Sequence, residues 1–178
     1  TKKQIFAPVI EELKVFDKYE AMEDQVIGKT IPELQNSVLS GEFTYRDLTL
    51  FYMTRIYKYD RENPKSLNAV ISINPDAIQQ AQRADSLFKK LRPAEINKLP
   101  FSVMGMPILL KDNIDVAGMP TTAGAAVMMD NIVEKSARFV DKLLDQYAVI
   151  LGKTNLSEWA YYFCGSCPSG YSAVGGQT

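Results

Sequence analysis

The stretch Met104-Gly105-Met106-Pro107-Ile108-Leu109-Leu110-Lys111-Asp112-Asn113 turns from apolar to charged at a single residue. The run from Met104 to Leu110 has no polar side chain, as expected of a strand buried on both faces, and Lys111 stands at its end. Downstream, Gly118 to Gly124 is a Gly/Pro/Thr-rich loop. Ser136 to Gln146 then carries Phe139, Val140, Leu143 and Leu144 at helical spacing, and Ala148 to Leu151 is a second apolar strand. Strand, helix and strand in that order predict an α/β fold with parallel pairs, helices against the sheet faces, and chemistry at the strand ends.

Upstream of this unit the pattern is mainly helical. Pro8 to Asp24 sets Val9, Leu13, Phe16 and Tyr19 at helical spacing, with Pro8 suited to a first turn. This predicts one amphipathic helix within residues 1–28, packed on the domain or across a homodimer interface, with Glu11, Glu12, Lys14, Lys18 and Glu20 turned to solvent. Thr30-Ile31-Pro32-Glu33 has the form of a capping box, and Gly41 stops that helix after Leu39. Thr44 opens another helix, with a core stripe of Leu48, Phe51, Tyr52, Arg55, Ile56 and Tyr59, ended by Asn63-Pro64. Asn68 to Ile73 reads as a strand and Asp76 to Leu91 as a helix.

Composition narrows the chemistry. With 178 residues, 46% hydrophobic and 23% charged, the chain fits one globular domain or a large piece of one. Twenty basic against 21 acidic residues leave a net charge of -1, which argues against nucleic acid and anionic membrane surfaces as partners. No stretch approaches the roughly 18 consecutive apolar residues of a membrane span, so the chain reads as soluble. It lacks an initiator Met, which leaves the compartment open. The absence of histidine removes the commonest general base, so a base must be Lys, Asp, Glu or Tyr. Cys164-Gly165-Ser166-Cys167 has the spacing of a redox pair or of half a metal site, but without histidine or a second cysteine pair it cannot complete a zinc site; two ordinary loop thiols is the favoured reading over redox or metal chemistry, so no metal or cofactor is expected.

Lys111 is the residue that stands out. A lysine at the end of a buried strand is where desolvation disfavours the ammonium and a base can form. The same spacing also suits a lysine that snorkels to water and pairs with Asp112. Lys153, in Gly152-Lys153-Thr154, does not belong to a phosphate loop, because the required upstream glycine is replaced by Tyr147. Thr154, Asn155 and Ser157 suit the cap of a short helix containing Trp159, and Thr154 or Asn155 suits a partner that orients Lys111.

The segment Gly105 to Asp115, with Gly118-Met119-Pro120-Thr121-Thr122-Ala123-Gly124, closely resembles the lysine-bearing segment of the amidase-signature family. Ala148 to Ala160 and Ser169 to Thr178 resemble the blocks that follow it, and weaker agreement extends back to Thr30. The resemblance implies an incomplete amidase-signature domain: the N-terminal part of an α/β/α sandwich with a mixed central sheet, residues 29–178 beginning its core. It implies a Ser-cisSer-Lys triad in which Lys111 is the base and a bridging serine relays the proton of a nucleophilic serine. Both serines belong to Gly-rich segments that this sequence does not contain, and Ser166, Ser169 and Ser172 align ahead of them. The expectation is therefore a carboxylic or peptide amidase whose remaining polypeptide supplies the serines, the isolated chain being inactive. The alternatives are a non-catalytic scaffold or partner-binding module, and a relative of the glutamine-hydrolysing amidotransferase A subunit.

Overall fold

The computed structural model describes residues 2–61 and 65–178. Five helices come first: α1 (Lys2–Phe6), α2 (Ile10–Val15), α3 (Tyr19–Val26), α4 (Ile31–Ser40) and α5 (Tyr45–Tyr59). Then follow β1 (Val70–Ile73), α6 (Ala77–Phe88), α7 (Pro93–Ile96), β2 (Pro107–Lys111), α8 (Arg138–Asp145) and β3 (Val149–Thr154). A hairpin of β4 (Tyr171–Ser172) and β5 (Gly176–Gln177) completes the order. The main sheet runs β1-β3-β2, with β2 parallel and β1 antiparallel to β3, so it is mixed, as expected. β2, α8 and β3 form the anticipated parallel crossover unit.

Apolar side chains cover both sheet faces. On one face, Val149 and Leu151 join a core built from α1 to α6, including Leu48, Phe51, Met53 and Ala81. On the other, Leu110 and Ile150 pack with Val116, Met119 and Val140. β3 is the buried central strand, its first five residues all inaccessible. β2 is not buried on both faces: Leu110 alone is buried, and Lys111 is exposed. An apolar run reports what the faces touch, whereas β2 has a strand neighbour on one side only among the described residues.

Other expectations were corrected in detail. The single N-terminal helix is three short ones, since Pro8 lacks a backbone donor and biases Ala7 away from helix, and α1 ends at Phe6. Its predicted face survives: Val9, Leu13 and Tyr19 are buried and Phe16 packs beside them. In α5, Leu48 and Phe51 are core and Tyr52 and Ile56 pack partly buried against it, while Tyr52, Arg55, Ile56 and Tyr59 also line an open cavity of about 490 Å³ with Leu109 and Leu151. The predicted stop at Asn63-Pro64 lies outside the described residues. In α8, Val140 is fully buried while Phe139, one position round the helix, is 47% exposed.

β3 carries an irregularity that matters for the site. Ile150 pairs with Ile108 and Gly152 with Leu109, so Leu151 is an extra residue against β2. In a regular strand Ile150 and Lys153 would point to opposite faces; here both meet the 116–121 segment. Side chains satisfy the backbone at the bulge: Ile150 N–H donates to Gln80 Oε1 at 2.9 Å, and Asn74 Nδ2 donates to the Ile150 carbonyl at 2.8 Å. Gly152 is required there because a Cβ would collide with the Ser72 carbonyl oxygen.

The predicted capping box at Thr30 forms, and the helix start at Thr44 proves to be a second one, closed by Asp47. In the second, the Asp47 carboxylate accepts from Thr44 N–H at 3.1 Å and from the Lys18 ammonium at 3.0 Å. Burial pushes this carboxyl up, but the Thr44 and Lys18 bonds outweigh it and hold it below its ordinary value. A depressed carboxylate stabilises the fold above its ordinary value of 3.8 and loses that contribution as pH falls through the lowered one. Asp47→Asn is expected to destabilise the protein by about 1 kcal/mol at neutral pH. Denaturant titrations over a pH series should show that gap closing as pH drops below 3.8.

Candidate active site

Lys111 lies at the carboxyl end of β2, paired in register with Thr154 at the carboxyl end of β3. Ligand sites of open α/β sheets form outside such ends. A cavity of about 350 Å³ opens here, lined by Lys111 together with Asn155, Ser157, Tyr161, Ser169 and Gly170. Lys111 and Asn155 are thus brought together. Thr154 meets this site through its backbone, accepting from Asp112 N–H at 3.1 Å.

Asn155 organises the loop that walls the cavity. Its Nδ2 donates to the Gly176 carbonyl at 3.0 Å and to Thr178 Oγ1 at 2.9 Å, while Oδ1 accepts from Leu156 N–H and from Ser172 Oγ. Gly175 must be glycine because a Cβ would collide with this amide. Ser172 is buried and spends its hydroxyl on Asn155 and on Gly175 N–H, which fits its exclusion as a nucleophile.

The buried ion pair beside Lys111 was not anticipated. Lys153 and Asp112 side chains are 0% and 1% exposed, with Nζ and Oδ1 3.3 Å apart. Lys153 also donates to the Pro120 carbonyl at 3.1 Å and Thr121 Oγ1 at 3.3 Å. Asp112 Oδ2 accepts from Thr122 N–H at 3.1 Å and from the Thr122 hydroxyl. Asp112 therefore pairs with Lys153, not with Lys111. Burial pulls the Lys153 ammonium below its ordinary value, opposed by the charge and hydrogen bond of Asp112. A charge following Val149-Ile150-Leu151 inside a strand was the available signal, since a buried lysine demands a partner.

Ser157 stands at the N-cap position of the short turn Glu158–Tyr161 but makes no side-chain cap bond; its Oγ accepts from Gly170 N–H at 2.9 Å across the cavity wall. Trp159, Ala160 and Tyr161 have φ of 51°, 50° and 68°, a left-handed turn in place of the predicted helix. Hydrogen bonds with Ser157 and Ser169 hold the Tyr161 phenol below its ordinary value. The cysteines, expected as separate thiols, are joined as a Cys164–Cys167 disulfide, because the turn sets their Cα atoms 5.4 Å apart.

A lysine at the carboxyl end of a parallel pair, walled by a Ser/Gly-rich loop and anchored by a buried Asp–Lys pair, defines a site class that the sequence comparison identifies. Residues 47–174 match the amidase family model, and the chain belongs to the amidase family. It is 38% identical over 147 residues to a probable amidase of Arabidopsis thaliana, covering 82% of this chain and 27% of that protein. An amidase family protein from Bacillus anthracis str. Ames superposes with a TM-score of 0.89 at 34% identity, over all of this chain and 34% of that one. Native peptide amidase from Stenotrophomonas maltophilia gives 0.76 at 39% identity, over 85% of this chain and 30% of that one. The chain thus spans about a third or less of the length of these relatives.

Lys153→Met would leave the Asp112 carboxylate buried without its cation and is expected to destabilise the protein by about 3–5 kcal/mol. Adding Asp112→Asn removes the stranded charge, so denaturant midpoints should show the double variant recovering part of the loss. A double variant as unstable as the sum of the single ones would refute direct pairing.

Proposed function

We propose that the full-length protein hydrolyses the C–N bond of a carboxylic or peptide amide, with Lys111 as the base of a Ser-cisSer-Lys relay. The observation that carries this reading is the position of Lys111 in an open cavity at the carboxyl end of the β2–β3 pair, inside the segment that matches the amidase family. In this reading the Lys111 side chain takes a proton from a bridging serine, which takes one from the attacking serine as its oxygen adds to the amide carbonyl. Backbone N–H groups stabilise the tetrahedral oxyanion. The proton returns to the departing nitrogen, and water then releases the acid from the acyl-enzyme.

Both serines would come from the remainder of the polypeptide, so the 178 residues by themselves are proposed to be inactive. Likeness to a peptide amidase at 39% identity favours a peptide amide as substrate. In the full-length protein, Lys111→Ala should lower kcat/KM on a C-terminal peptide amide by about 10²–10⁴-fold. Circular dichroism of the variant should match that of the wild type. Undiminished turnover in the folded variant would remove Lys111 from the mechanism.

A further inference from the structure

We propose that Cys164–Cys167 is a thiol–disulfide exchange site whose redox state sets the shape of the wall of the Lys111 cavity. The disulfide interrupts that wall: Tyr161 on one side of it, and Ser169 and Gly170 on the other, line the cavity with Lys111. Long backbone bonds fold the intervening loop: Cys164 N–H to the Tyr161 carbonyl at 3.2 Å, Cys167 N–H to that of Cys164 at 3.3 Å, and Tyr171 N–H to that of Pro168 at 3.4 Å. The covalent link closes the 164–167 turn, beside the bonds from Gly170 N–H to Ser157 Oγ at 2.9 Å and from Gln177 Nε2 to the Ser169 carbonyl at 2.7 Å that hold the far side of the wall. Directly before the loop, three consecutive non-glycine residues, Trp159 to Tyr161, hold left-handed backbone that L-residues adopt only when their surroundings impose it.

The position of the bond argues for a local role. Bridging residues three apart removes little entropy from the unfolded chain compared with closing a long loop, so global stability gains little. Cys167 is exposed and Cys164 half-buried, which leaves the bond open to an attacking thiolate. A dithiol reductant would add one sulfur to Cys167, releasing Cys164 as the thiolate. Its second thiol then displaces Cys167, giving two cysteine thiols and the reductant's own disulfide; two electrons and two protons move to the protein. Freed of the link, the 162–168 loop and the left-handed turn can relax, moving Tyr161 and Ser169 relative to Lys111.

The test needs no amide hydrolysis, so it stands or falls separately from the proposed activity. The full-length protein is treated with dithiothreitol and then iodoacetamide, alongside its Cys164→Ser/Cys167→Ser variant. Three signals are read: alkylation of Cys164 and Cys167 by peptide mass, emission assigned to Trp159 by difference from Trp159→Phe, and the rate at which acetic anhydride acetylates Lys111. Mild reduction is expected to add two carbamidomethyl groups with far-ultraviolet circular dichroism retained. It should also shift Trp159 emission and change the Lys111 acetylation rate at least threefold. The double variant should match the reduced protein and ignore the reductant. Alkylation only after circular dichroism is lost would overturn the proposal, as would alkylation that leaves Trp159 and Lys111 unchanged.

Discussion

The buried Asp112–Lys153 pair is the interaction on which the arrangement at the sheet's edge depends. Taking two charges out of water costs several kcal/mol per ion, and only close pairing with further hydrogen bonds offsets it. Those bonds come from different parts of the chain: Asp112 follows β2, Lys153 lies in β3, and Pro120, Thr121 and Thr122 belong to the loop between. None of the three can shift without stranding a charge. Lys111 precedes Asp112 and is in register with Thr154, which follows Lys153, so its backbone position is fixed by the same clamp.

A strict strand would not deliver this geometry. Because β3 takes one extra residue against β2, Lys153 reaches the Asp112 side while Leu151 stays with the helical core on the opposite face. Gln80 and Asn74 satisfy the backbone groups that the bulge displaces, so α6 and the turn after β1 support the site from behind. Gln35 does the same for the approach to β2. It donates to the Ser102 and Met104 carbonyls, both at 2.9 Å, and accepts from the Tyr45 hydroxyl.

Much of the frame was legible in the sequence because it rests on local signals. The capping box at Thr30, the helix start at Thr44, the Gly41 stop and the β2–α8–β3 unit follow from side-chain type and period. Lys111 was legible as a strand-end lysine because an apolar run ends on it. What the pattern does not encode is strand neighbourhood: β2 read as fully buried, yet it has one strand partner among the described residues and leaves Lys111 exposed. Nor does period reveal register, and the bulge is what makes Lys153, rather than Lys111, the partner of Asp112. The disulfide was missed because spacing gives only the separation of two cysteines, whereas the turn between them decides whether their sulfurs meet.

The proposed relay requires Lys111 to face the reacting groups of the full-length protein. The most direct measurement is a crystal structure of the full-length protein with a peptide aldehyde bound covalently in the cavity. The expected result is Lys111 Nζ within about 3.2 Å of a serine hydroxyl supplied from outside these 178 residues, and the aldehyde carbon bonded to a second serine. Lys111 pointing to solvent, with the aldehyde held by another nucleophile, would contradict it.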